Sequence, residues 1–182
     1  MPVESIYIPI GTKMPDFELK DPFGKVYSTK DHMGKIGLLI VFTCNHCPYA
    51  KAVWPRLLRL AGEISKIGIN TFAINPNSKN SDYPEDSVSE MKNKINEWKI
   101  NIPYLVDETQ EISKMYKAQC TPDFYLLDRE MKLYYHGRLD DNWKDENLVT
   151  REELKEACLS LFRGEEPPKI QYPSIGCSIK WI

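Results

Sequence analysis

A chain of 182 residues, 42% of them hydrophobic, is long enough for one folded domain with a sizeable core and too apolar to be disordered. A net charge of -2 leaves no basic footprint for nucleic acid. No run approaches the roughly eighteen apolar residues of a spanning helix, and the start, MPVESIYIPIGTKMPDF, lacks the basic-then-apolar order of a secretory signal. These features predict a cytoplasmic protein with neither membrane nor nucleic-acid partners.

In chain order, GLLIVF (37–42) is a short, wholly apolar run, as for a strand buried on both faces. From Pro48 to about Gly68, Ala52, Leu57, Leu60, Ile64 and Ile67 recur at helical spacing, with Pro55 expected to kink the helix. INTFAINP (69–76) reads as the next strand and 77–86 as a polar loop, with Pro84 and acidic residues introducing a helix over 85–98. A strand at 102–107 and a helix at 109–117 follow. DFYLLD (123–128) and KLYYHG (132–137) flank a turn and read as a hairpin. Thr150 and Glu153 spell a capping box ahead of a helix to 162. The order βαβαβαββα predicts an α/β fold with a central mixed sheet. It forms a single domain: an extension over 1–35, a core over 36–162, and a proline-bearing tail over 163–182 with no clear period.

The five cysteines, an odd count, argue against a disulfide framework and for redox or metal chemistry. Cys44 and Cys47 form a Cys-x-x-Cys between the buried strand and the helix. In that context a helix N-terminus stabilises a thiolate. The expectation is an exposed, low-pKa Cys44 that attacks and a more buried Cys47 that resolves. His46 adds a cation beside both sulfurs, which predicts a more oxidising pair, and Pro48 suits the first helical turn. Thr121-Pro122 leads into a strand, where a cis bond would leave the Thr121 backbone open to an extended substrate.

TCNHCPYA, CTPDFYLLD, the opening GTKMPDFELKDPFGKVYSTKDHMGKIGLLIVF and the closing HGRLDD and PSIGCSIKW together resemble the thioredoxin superfamily, in its peroxiredoxin-like (AhpC/TSA) branch. The resemblance spans nearly the whole chain. It implies a thioredoxin-like core with an N-terminal β extension and a C-terminal tail, Cys44 as attacking thiol, Cys47 as resolving thiol and Pro122 as the cis-proline. The sequence also departs from the pattern. The Thr three residues before a peroxidatic cysteine is replaced by Cys44, residues 122–125 supply no Arg, position 43 is Thr where thioredoxin has Trp, and 36–42 hold no buried acid.

The expected function is a thiol–disulfide oxidoreductase without bound cofactor or metal. It would act on a disulfide-bearing protein or small molecule and draw electrons from a thioredoxin or a reductase. Two rivals stand beside it. One is a thiol peroxidase that forms a sulfenic acid; the other is a module binding Cu(I) or zinc through Cys44, Cys47, His46 and Cys120. Cys120 and Cys177 are possible extra thiols, the latter if the tail folds back with Trp181 as anchor. Cys158 is expected in the core, His32 and His136 at surface or turn positions, and Arg138, Asp140 and Asp141 in a solvated turn.

Overall fold

The structure, a computed structural model, describes residues 2–182. Its centre is β4 (Gly37–Phe42), every residue of which is buried. Leu39 and Val41 face one apolar cluster while Leu38, Ile40 and Phe42 face another, so the strand carries core on both sides. β4 pairs in parallel with β5 (Ile69–Asn75) and antiparallel with β8 (Asp123–Asp128). The main sheet runs β3-β2-β6-β5-β4-β8-β9. In it, β2 is Glu18–Lys20, β3 Val26–Ser28, β6 Tyr104–Val106 and β9 Leu133–Gly137. The N-terminal extension thus supplies two strands of this sheet, joined at Lys20 opposite Val106.

Helices cover both faces. On one, α2 (Pro48–Ser65), α3 (Val88–Glu97) and α5 (Glu153–Phe162) bury Val53, Trp54, Leu57, Met91, Leu154 and Cys158. On the other lie α1 (Thr29–His32) and α4 (Glu111–Met115). α2 runs through Pro55, which sits on the solvent side, and Gly68 at φ +93 then turns the chain into β5. The expected capping box does not form. Thr150 instead gives its backbone N–H and its hydroxyl to the Asp141 carboxylate, and α5 starts at Glu153 without a side-chain cap.

The tail contains a strand that its sequence pattern did not announce. β10 (Ile175–Ser178) lies between β1 (Val3–Glu4) and β7 (Cys120–Thr121) in a separate three-stranded sheet. Trp181 is not its anchor: the indole is substantially exposed, with the Lys114 ammonium over its ring. Polar side chains hold the tail instead. Asn77 accepts the Lys180 N–H at 2.9 Å, Gln110 donates to the Lys180 carbonyl at 2.8 Å, and Gln110 accepts the Ile182 N–H at 3.0 Å.

Candidate active site

β4 ends at Phe42, and the Thr43 N–H is still bonded to the Ile74 carbonyl at 2.8 Å. The chain then leaves the sheet and enters α2, with Pro48 at its first helical position, where no N–H is needed. Trp54, one turn and more along α2, donates its indole N–H to the Cys44 carbonyl at 3.2 Å and fixes the motif against the core. Both sulfurs converge on Thr121. Cys44 Sγ lies 3.3 Å from the Thr121 hydroxyl, and the Cys47 thiol points at the Thr121 carbonyl at 3.2 Å. The Thr121–Pro122 bond is cis.

The helix end falls on Cys47 and not on Cys44. Cys47 is the N-cap residue of α2, while Cys44 lies three residues upstream, and both are fully buried. The expectation of an exposed Cys44 at the helix N-terminus is therefore corrected, because the first helical turn starts only at Pro48. The Cys47 thiol is lowered from 9.0 to about 5: the Cys44 thiol donates to it, and the Cys177 thiol and the Ala50 N–H, in the first turn of α2, add to this against the penalty of burial. The Thr121 carbonyl, which only a neutral thiol can use, works in the opposite sense. Burial pushes the Cys44 thiol well above its ordinary value, and the hydrogen bond to Cys47 and the Asp86 carboxylate push the same way. The pair behaves as one acid whose anion rests on Cys47.

Asp86 is the site residue that the sequence reading missed. It belongs to a short 3-10 turn, Pro84–Asp86, and is fully buried. Its carboxylate accepts the N–H groups of Asn45 at 2.6 Å and His46 at 3.3 Å, the Asn77 amide at 3.2 Å, and a very short contact from His46 Nδ1. The acidic residues before α3 look like ordinary helix-start charges. Ser87 takes the capping role, accepting from the Glu90 N–H at 3.3 Å, and leaves Asp86 free to turn inward. His46 consequently aims Nδ1 at a carboxylate and lays its ring against Tyr83, 4.9 Å between centroids. The expected unopposed cation beside the sulfurs is not what forms, since Asp86 supplies the acid that β4 lacks.

Cys120 is turned away from the pair. Side chains alternate along an extended segment, so with Thr121 facing Cys44, the Cys120 sulfur faces the Pro122 and Ser174 carbonyls at 3.7 and 4.0 Å. Burial pushes its thiol far up. Cys177 packs against the Cys44–Cys47–Ala50 cluster. Cys158 is core, and burial raises its thiol to about 12. For a metal, Cys44, His46 and Asp86 bring ligand atoms within 4.8 Å of one another. Asp86 already serves as acceptor for the loop's N–H donors, so it is committed to structure before any ion arrives.

Residues 10–136 match the model of the AhpC/TSA family. The chain belongs to that family. It is 42% identical to an uncharacterized conserved protein of Geobacillus kaustophilus, with a TM-score of 0.93 over 100% of this chain and 97% of the other. A hypothetical protein of Sinorhizobium meliloti 1021 is 34% identical, with a TM-score of 0.92 over 98% of each chain. The thiol-disulfide oxidoreductase ResA of Bacillus thuringiensis subsp. konkukian is 26% identical over 81% of this chain and 75% of its own length.

Within this AhpC/TSA chain, residues 122–125 supply Asp123 and no Arg. The Asp123 carboxylate is bonded to His136 Nε2 at 3.0 Å and to the Tyr125 hydroxyl at 3.1 Å, and all three groups are buried. His136 is thus an interior hydrogen-bond partner rather than a surface residue, and His32 is half-buried, stacked on Phe72 at 4.3 Å. Asp140 is not solvated either: it is buried against Arg56 at 2.5 Å. Arg138 pairs with Glu153, and Asp141 holds Thr150.

Proposed function

We propose that this protein is a thiol–disulfide oxidoreductase working through Cys44 and Cys47. One observation carries the reading: two adjacent sulfurs meet at the Thr121–Pro122 segment, with a helix N-terminus behind one of them. The Cys47 thiolate attacks a disulfide RS–SR′; the Cys47–SR bond forms and R′S⁻ leaves. Cys44 then attacks Cys47 Sγ, closing Cys44–Cys47 and expelling RS⁻. Its proton passes toward the Asp86–His46 pair, close enough for transfer through one water. The substrate gains the two electrons that the pair loses, and a thioredoxin or a reductase returns them. The name of the ResA relative agrees with this chemistry.

The test is a redox titration against glutathione, read by thiol alkylation and peptide mass. One reversible two-electron step that pairs Cys44 with Cys47 supports the proposal. Persistence of both as free thiols throughout the titration overturns it.

A second reading, peroxide reduction, is favoured by the family and by the acidity of Cys47. Against it stand Cys44 at the position of the peroxidase Thr and the lack of an Arg over 122–125, which leaves the transferring oxygens without those two donors. Stopped-flow oxidation by hydrogen peroxide separates the readings: a rate typical of free thiols sets the peroxidase aside.

A further inference from the structure

The redox pair has no surface of its own. Cys44, Cys47, Cys120 and Cys158 are fully buried, and Cys177 is the sole cysteine with solvent exposure. Cys177 lies in β10, directly opposite Thr121 of β7 in an antiparallel pair. Residues directly opposite in such a pair project to the same face. Thr121 projects onto Cys44, so Cys177 projects into the same site, where it packs against the Cys44–Cys47–Ala50 cluster and its thiol hydrogen-bonds Cys47. The neighbouring pair, Ser178 opposite Cys120, faces the other way. This close approach depends on Gly176: a Cβ there would fall 2.0 Å from the Thr121 carbonyl oxygen and 3.2 Å from Pro122 N. β10 therefore occupies the edge where an extended peptide would pair with Thr121, and it offers a cysteine in the register a substrate cysteine would take.

We propose that Cys177 is the entry thiol of this site: an outside disulfide exchanges first with Cys177, and Cys47 then attacks the Cys177 sulfur. This rests on the oxidoreductase reading above, with the mixed disulfide on Cys177 as the disulfide that Cys47 attacks. In the first step Cys177 yields its proton to the Cys47 thiolate as its sulfur attacks RS–SR′; Cys177–SR forms and R′S⁻ leaves. In the second, Cys47 attacks Cys177 Sγ, forming Cys47–Cys177, and its proton departs with RS⁻ as RSH. In the third, Cys44 attacks Cys47 Sγ, forming Cys44–Cys47; the Cys177 thiolate leaves and takes up the proton that Cys44 gave to the Asp86–His46 pair. The sum is reduction of one disulfide and oxidation of one dithiol. Run backward, the same relay carries oxidising equivalents out to a thiol at the surface.

The experiment treats the reduced full chain with glutathione disulfide, quenches by alkylation, and maps each cysteine by mass. Cys177→Ser is expected to slow formation of the Cys44–Cys47 bond about tenfold or more, because direct access to Cys47 loses the positioned partner. Cys47→Ser is expected to hold glutathione on Cys177. Cys44→Ser is expected to accumulate the Cys47–Cys177 bond, and adding Gly176→Ala to that variant should suppress the bond although Cys47 and Cys177 are both still present. Oxidation of Cys177→Ser at the wild-type rate, or glutathione found on Cys44 in Cys47→Ser, overturns the relay while leaving the oxidoreductase reading intact. Failure of the wild type to form Cys44–Cys47 takes both down.

Discussion

The distribution of acidity within the pair makes the sharpest prediction. Cys47 is the one thiol brought below its ordinary value; Cys44 and Cys120 are pushed up, and Cys158 and Cys177 lie near 12. Thiolate absorbance in the ultraviolet should therefore rise by the equivalent of one cysteine, with a midpoint of about 5, when reduced protein is taken from acid to neutral pH. The first cause of that value is the hydrogen bond from Cys44. A bond to a charged group contributes about 1.5–3 kcal/mol, and at 1.36 kcal/mol per pH unit this is roughly one to two units. Cys44→Ala removes that donor together with the Cys44 contact to the Thr121 hydroxyl, while Trp54 still holds the backbone carbonyl. The midpoint should then move up to about 6–7 by these increments, with the amplitude still one cysteine. The readings refuting the argument are an unmoved midpoint in Cys44→Ala, or a step that survives in Cys47→Ser, which would put the anion on Cys44.

The same depression has a sign in stability. A thiol held below its unfolded value stabilises the fold fully above 9.0, and this contribution fades as pH falls through about 5; the melting-temperature advantage of reduced wild type over Cys47→Ser should shrink across that window, and a constant gap would contradict it. Asp86→Asn removes a carboxylate within 4.8 Å of the Cys44 sulfur. That carboxylate helps hold the Cys44 thiol up, so the Cys44 titration should move to lower pH. Followed as the second thiolate step, an unchanged or higher midpoint would show that Asp86 does not act on Cys44. Arg56→Met strands the buried Asp140 carboxylate and should cost about 3–5 kcal/mol in urea unfolding, with the double variant Arg56→Met/Asp140→Leu recovering much of it.

Periodicity and composition reached most of the framework. GLLIVF is apolar at every position, and only a strand with core on both faces explains such a run; β4 is that strand. The apolar spacing after Pro48 marked α2, and the turn between two β-rich runs marked the β8–β9 hairpin, which pairs Phe124 with Gly137 through Leu127 with Leu133. These are local signals, in which one segment's side-chain pattern states which faces will be buried. Thr121, Pro122 and the cysteine pair could likewise be picked out, because Cys-x-x-Cys and Thr-Pro are short motifs whose context is carried in neighbouring residues.

Tertiary structure decided what depends on which residues meet. The helix begins at Pro48 and not before, so the favourable end of its dipole serves Cys47; the motif alone does not say where the first turn closes. Asp86 lies 42 residues after Cys44 in the numbering, and its burial beside that sulfur follows from a 3-10 turn fixed by Asn45, His46 and Asn77. Thr150 found Asp141 rather than its own helix, because a carboxylate with two free acceptors outcompeted a weak local cap. The tail's strand was hidden because a four-residue segment that follows prolines and carries a Gly within it shows no period of its own. Its pairing comes from the partner edges of β1 and β7, and its closeness from the missing side chain at Gly176. Sequence patterns report a residue's own burial. The acidity and reach of a thiol are set by charges and donors that arrive from distant segments, which only the folded chain brings together.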